Sequence, residues 1–162
     1  MNSYKLLYAI GLLPGYLLFL CLHQAAVFYS VVDTYDNGNS YVADVVDYDL
    51  KQIAAQTNGY VVLAFETENG EEFQEKLSLP VEMAGAISNL GVIPIRYKKE
   101  AFVDIVMIPT YSTQKGLALT NLAMASVGFF IAFFVAYLVH RYVRRKSTAG
   151  DETLIIERVD DE

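Results

Sequence analysis

The sequence predicts a membrane hairpin of two transmembrane helices carrying a small β-rich domain, barrel or sandwich-like, of about five strands. Three observations predict it. Residues 6–32 and 117–142 are apolar runs long enough for the roughly 20-residue helix that crosses a bilayer core. The segment between them, 33–116, is polar, rich in turn residues and partly alternating in hydrophobicity. Arg141, Arg144, Arg145 and Lys146 directly follow the second run, and basic residues concentrate on cytoplasmic flanks. That cluster predicts a cytoplasmic C-terminal end, residues 143–162, and two spans then return residues 1–5, with Lys5, to the same side.

The first run is expected to stay as an uncleaved anchor. It continues well past a signal-peptide core, and His23-Gln24-Ala25-Ala26 is a poor cleavage site. Leu20 is too large for the position before a lipidated Cys21, the only cysteine, which is expected to be a buried thiol. Within the spans, Gly11 and Gly15 form a small-xxx-small pair that matches Gly128, Ala132 and Ala136 in depth when the helices run antiparallel. These two stripes are the predicted helix-packing surface. Tyr4, Tyr8, Phe28, Tyr29, Tyr111, Tyr137 and Tyr142 read as interfacial aromatic belts.

Along the middle segment, Asp33, Asp36, Asn37 and Asn39 around Gly38 have the oxygen-rich character of a calcium loop, but without its alternation or closing Glu they read as a polar hinge. Tyr41 to Tyr48 and Gly59 to Glu66 are predicted strands. Thr67-Glu68-Asn69-Gly70 is a turn, since Asn-Gly supplies the positive φ of a tight hairpin, and Glu71 to Leu77 returns as a third strand. Pro80 interrupts, Val81 to Asn89 reads as a short helix, and Val92 to Tyr97 and Ala101 to Ile108 are two further strands around a Lys98-Lys99-Glu100 turn. Pro94 cannot donate to a ladder and predicts an edge strand or a bulge. The tail from Ser147 to Glu162 is acidic, with one stretch, Thr153 to Val159, suited to docking.

The hairpin Val62-Leu63-Ala64-Phe65-Glu66 to Gly70-Glu71-Glu72-Phe73, followed by Gly91-Val92-Ile93-Pro94-Ile95-Arg96-Tyr97 and a closing span, resembles the bacterial domain-of-unknown-function 3592 family over residues 40–142. Lys98-Lys99-Glu100-Ala101 stands where that family often places an Asp and an Asn-Pro turn. The resemblance implies small membrane proteins with a β-rich domain, and no reaction.

Residues 33–115 hold 13 acidic and 6 basic residues and so carry the whole net charge of −7. An acidic domain repels nucleic acid and anionic headgroups. His23, His140 and Cys21 all lie in or beside the spans, which leaves no His or Cys for a triad, a thiol nucleophile or a metal centre in the domain. Glu66, Glu68, Glu71, Glu72 and Glu75 crowd one hairpin and read as a solvated face. Polar residues within the spans are few, and His23, Gln24 and Asn121, each near the outer interface, are not of the charged kind that marks an ion path. The expectation is therefore a non-enzymatic interaction or accessory subunit of a cell-envelope complex in the plasma (inner) membrane, without cofactor or metal. Its partners would be the lipid bilayer and an envelope membrane protein, or further copies of itself. The alternative is a small-molecule or cation sensor or carrier using the extracytoplasmic domain.

Overall fold

The structure, a computed structural model, describes residues 9–53 and 56–149. The N-terminal residues 1–5, Tyr4, Tyr8 and the stretch Thr153 to Val159 lie outside the described residues. In chain order the elements are α1 (Leu12–Asn37), β1 (Asn39–Ile53), β2 (Gln56–Glu66), β3 (Glu72–Pro80), α2 (Val81–Ile87), β4 (Val92–Tyr97), β5 (Ile105–Met107), a 3-10 turn (Ile108–Thr110) and α3 (Tyr111–Ala149). They divide into two compact units, one of Met1–Cys21 with Ala125–Glu162 and one of Leu22–Met124.

Among the described residues two helices are long and apolar enough to cross a membrane, Ala9–Asn37 and Ile108–Lys146, and only 6% of each one's most apolar window is buried. A core helix of a globular protein would hide that surface; here Leu12, Phe19, Phe130, Ile131 and Phe134 stand exposed. In the first unit, Gly128, Ala132, Ala136, Val139 and Val143 make a less exposed stripe along α3, each three or four residues from the next. A Cβ on Gly128 would meet Leu17 Cδ2 at 4.0 Å, whereas one on Gly11 or Gly15 would meet nothing within 4 Å. The less exposed positions of α1 in this unit are Pro14, Leu17, Leu20 and Cys21.

In the second unit the five strands form one antiparallel sheet in the order β3-β2-β1-β4-β5. It is strongly curled. A flat sheet would hold β3 and β4 roughly 14 Å apart at the usual strand spacing, yet Phe73 on β3 and Tyr97 on β4 bring their rings to 5.5 Å. The concave side carries the core, with Ala43, Val61, Leu63, Leu79, Ile93 and Ile95 fully buried and α2 adding Met83, Ala84 and Ile87. On β1 the inward residues are Tyr41, Ala43 and Val45, then Tyr48. That change of parity is absorbed at Val46, where the register against β2 slips by one residue. The bulge lets Asp44, Asp47 and Asp49 avoid the core on both sides of it.

Several elements differ from the expectation. The region 33–37 is the end of α1 and not a hinge, because its last turns pack against the loop that follows β4. Lys98 Nζ sits 2.5 Å from Asp33 Oδ2, and Tyr35 stacks on Tyr111 with ring centroids 3.5 Å apart. Gly38 then passes so close to its surroundings that a Cβ would lie 2.3 Å from the Thr34 carbonyl oxygen and 3.1 Å from that of Tyr97. Glycine is needed there for space.

The hairpin between β2 and β3 is wider than a two-residue turn. Gly70 N–H donates to the Thr67 carbonyl at 2.9 Å, and within this turn Gly70 alone takes a positive φ, of 76°. The strand expected over 101–108 shrinks to Ile105–Met107, since the preceding backbone groups bond elsewhere. Val103 donates its N–H to Ser30 Oγ at 2.8 Å, and its carbonyl accepts from Thr34 Oγ1 at 2.6 Å.

Pro94 is not on an edge strand, because β4 lies between β1 and β5. Val45 N–H bonds the Gly91 carbonyl at 3.0 Å, so the hydrogen-bonded pairs of this ladder fall at every second position from there. Pro94, opposite Val42, is in a non-bonded pair and turns its nitrogen toward β5, which covers only Ile95 to Tyr97. The missing donor falls just beyond that partner's end.

Candidate functional site

Two surfaces of the Leu22–Met124 unit stand out, one on each side of the sheet. On the convex side an antiparallel sheet that faces water is ordinarily polar. Here Val42 is 66% exposed, Val46 56% and Val92 51%, with Pro94 exposed beside them. Register places Val42 opposite Pro94 and Asp44 opposite Val92, so these residues form one neighbourhood on β1 and β4, bordered on β2 by the half-buried Val62 and Ala64. Acids flank it. Asp47 accepts a hydrogen bond from the Tyr60 hydroxyl at 3.0 Å, which raises the tyrosine's pKa, with burial adding to the shift. Lys76 covers the same Tyr60 ring, its Nζ 3.5 Å from the centroid.

On the concave side a cavity of about 490 Å³ opens between β3, α2, the β5 region and the first turns of α3. Its walls are mainly apolar, from Leu77, Met83, Ile105, Met107 and Leu117. Ser78, Asp104, Gln114 and Asn121 supply polar groups, and among the described residues no Lys or Arg lines it. The Oε1 of Gln114, one of these lining residues, is buried without a hydrogen-bond partner among the described residues. At the far end of the curl a smaller cavity of about 220 Å³ is lined by Tyr41, Phe73, Tyr97, Asn37 and Asn39.

The sequence groups Glu75 with its neighbours on a solvated face, and the structure separates it from them. Glu66, Glu68, Glu71 and Glu72 are exposed, while Glu75 falls in phase with Phe73, Leu77 and Leu79 on β3 and so points to the concave side. Burial, and then the nearby Asp104 charge, raise its carboxyl pKa. Tyr97 is raised by burial first and then by Asp104, Glu71 and Glu75. The alternation Phe73-x-Glu75-x-Leu77 was the available signal. An inward charge on an edge strand discourages edge-to-edge pairing.

The oxygen-bearing residues weighed as a cation loop do not converge. Asp33 is taken by Lys98 and by Asn37 Nδ2 at 2.8 Å, Asp36 is exposed on α1, and Asn39 begins β1. Among the described residues no group of three or more His, Cys, Asp or Glu could hold a metal ion. His23 packs edge-on against Phe102 with centroids 5.4 Å apart. Arg141, Arg144, Arg145 and Lys146 all lie on α3, which continues past them to Ala149. Compared with known proteins, the chain matches no family model, no curated protein and no solved structure.

Proposed function

We propose that this chain is a non-enzymatic interaction or accessory subunit of a cell-envelope complex, anchored in the plasma (inner) membrane by two spans. Both ends are cytoplasmic in this reading, and the curled sheet stands outside. The resemblance to the domain-of-unknown-function 3592 family belongs to the same proposal, since it implies the same layout. The observation that carries it is the apolar outer face formed by Val42, Val46, Val92 and Pro94, a surface that water-facing strands do not need. With Asp44, Asp47 and Asp49 among and beside these residues, the matching partner is an envelope membrane protein with an apolar centre and a basic rim. A second copy of this chain would set acid against acid.

The test is isolation of the full chain in mild detergent alongside a Val42→Lys, Val92→Lys variant. The wild type should bring down a stoichiometric membrane protein in a salt-sensitive manner, and the variant should lose it. Retention by the variant would overturn the proposed face. For orientation, a reporter active only outside the cytoplasm should work near Gly70 and fail after Lys146; the reverse at both sites would sink the topology. The cavity beneath the sheet supports a second reading, a small-molecule sensor or carrier, because its size and mainly apolar lining with few polar groups are those of ligand sites.

A further inference from the structure

We propose that the cavity between β3, α2, β5 and α3 binds a single-chain amphiphile, its alkyl chain against Met83, Met107 and Leu117 and its primary ammonium head between Asp104 and Gln114. Three observations lead there. The first is the head site: among the described residues Asp104 is the one charged group in the lining, no Lys or Arg lines the space, and Gln114 Oε1 is a buried acceptor without a partner. An ammonium supplies three donors and a positive charge to such acceptors, while a phosphate or carboxylate head would meet repulsion from Asp104.

The second observation is shape and lining. About 490 Å³ of mainly apolar space fits one flexible chain, and the methionines adapt to its course. The third is position along the chain. Leu117 and Asn121, which line the cavity, belong to α3, the helix whose Ile108–Lys146 stretch is apolar and long enough to span a membrane. Exposed Met124, two turns on from Leu117, lies on the same face of the helix. A ligand that is itself partitioned into the bilayer can therefore reach this site along that face of α3. This inference rests on the membrane-anchored reading, and it deepens the second reading of the cavity by naming the ligand class.

The experiment uses the full chain in phosphatidylcholine nanodiscs with two photoactivatable probes, a hexadecylamine and the matching hexadecanoic acid, each with a mid-chain diazirine. Labelled residues are mapped by peptide mass spectrometry. The amine should label Met83, Met107 or Leu117 about tenfold or more above the acid, the ratio expected of one charge-assisted hydrogen bond. Asp104→Asn combined with Gln114→Leu should remove that preference, and Leu117→Trp, which fills the space, should lower cavity labelling by both probes. Equal labelling by the two probes, or an amine preference that survives the double substitution, overturns the proposal. Both probes should also label the exposed Phe130 and Phe134 of α3. If neither does, the membrane reading has failed and this inference falls with it. Labelling of Phe130 and Phe134 without cavity labelling by the amine refutes the ligand site alone.

Discussion

Replacing Ser30 by Ala and Thr34 by Val should release the loop between β4 and β5 while leaving the sheet intact. Both hydroxyls converge on one residue. The Val103 amide donates to Ser30 Oγ at 2.8 Å and its carbonyl accepts from Thr34 Oγ1 at 2.6 Å, with Thr34 fully buried. Each lost bond to a partly buried backbone group costs about 1 to 2 kcal/mol. The two act on a shared partner, so the sum is capped near 3 kcal/mol, the point at which the loop opens and water replaces both hydroxyls. The ion pair from Lys98 to Asp33 still tethers the loop's other end. A change of about 3 kcal/mol is roughly a hundredfold in the opening equilibrium. Hydrogen–deuterium exchange of the full chain reads this directly, as an approximately hundredfold faster Val103 amide beside an unchanged Tyr60–Phe65 segment of β2. Thr34→Val alone should give about tenfold, since Ser30 still holds the amide. Unchanged exchange at Val103, or equal acceleration in β2, would refute the argument that these two hydroxyls hold the loop locally.

Gly38→Ala should destabilise the domain by about 1 to 3 kcal/mol, because its Cβ would overlap the Thr34 carbonyl oxygen and backbone must move to admit it; a thermal midpoint by circular dichroism checks this. Leu63→Ala, at a fully buried core position, should cost about 2 to 5 kcal/mol in the same measurement. Glu75→Gln should act in the opposite sense near neutral pH. Its folded-state pKa is raised by burial and then by Asp104, so its favourable contribution is complete below the ordinary carboxyl pKa and is lost as pH rises through the raised one. The variant should therefore be more stable than wild type around pH 7, by less than about 0.5 kcal/mol at so screened a site, with the difference vanishing in acid. A stability difference that grows as the pH falls would show that the sign is wrong.

The elements that periodicity revealed are those whose partners are adjacent in sequence. The β2–β3 hairpin is one, with Phe65 set opposite Phe73 across the Asn69-Gly70 turn. The long apolar helices are another, because composition alone marks them. What was missed required knowledge of a distant contact. The extension of α1 through Asp33 to Asn37 depends on Lys98, Val103 and Tyr111, far along the chain, and the loss of strand character over 101–104 is the same contact seen from the other side. A run such as Ala101-Phe102-Val103-Asp104 has strand propensity, but two serine and threonine hydroxyls on a helix captured its backbone groups first.

The concave cavity was hidden for a related reason. Its lining comes from β3, α2, the β4–β5 loop, β5 and α3, none of which carries a motif, and only the curl of the sheet brings Leu77 toward Ile105 and Leu117. Gln114 in sequence is one polar residue among several at the start of an apolar run. It becomes informative only when its Oε1 is found enclosed and unpaired, since a buried acceptor without a donor is a cost that a folded chain normally avoids. The same logic separates Glu75 from the other acids of its hairpin: four carboxylates in water cost little, and the fifth, turned inward, is set against Asp104. Both groups bear on the concave side of the sheet, and a donor-bearing cation would satisfy the acceptor at Gln114 and relieve the charge at Asp104. Removing those two acceptors should therefore lessen the need for a cation there at the expense of binding one.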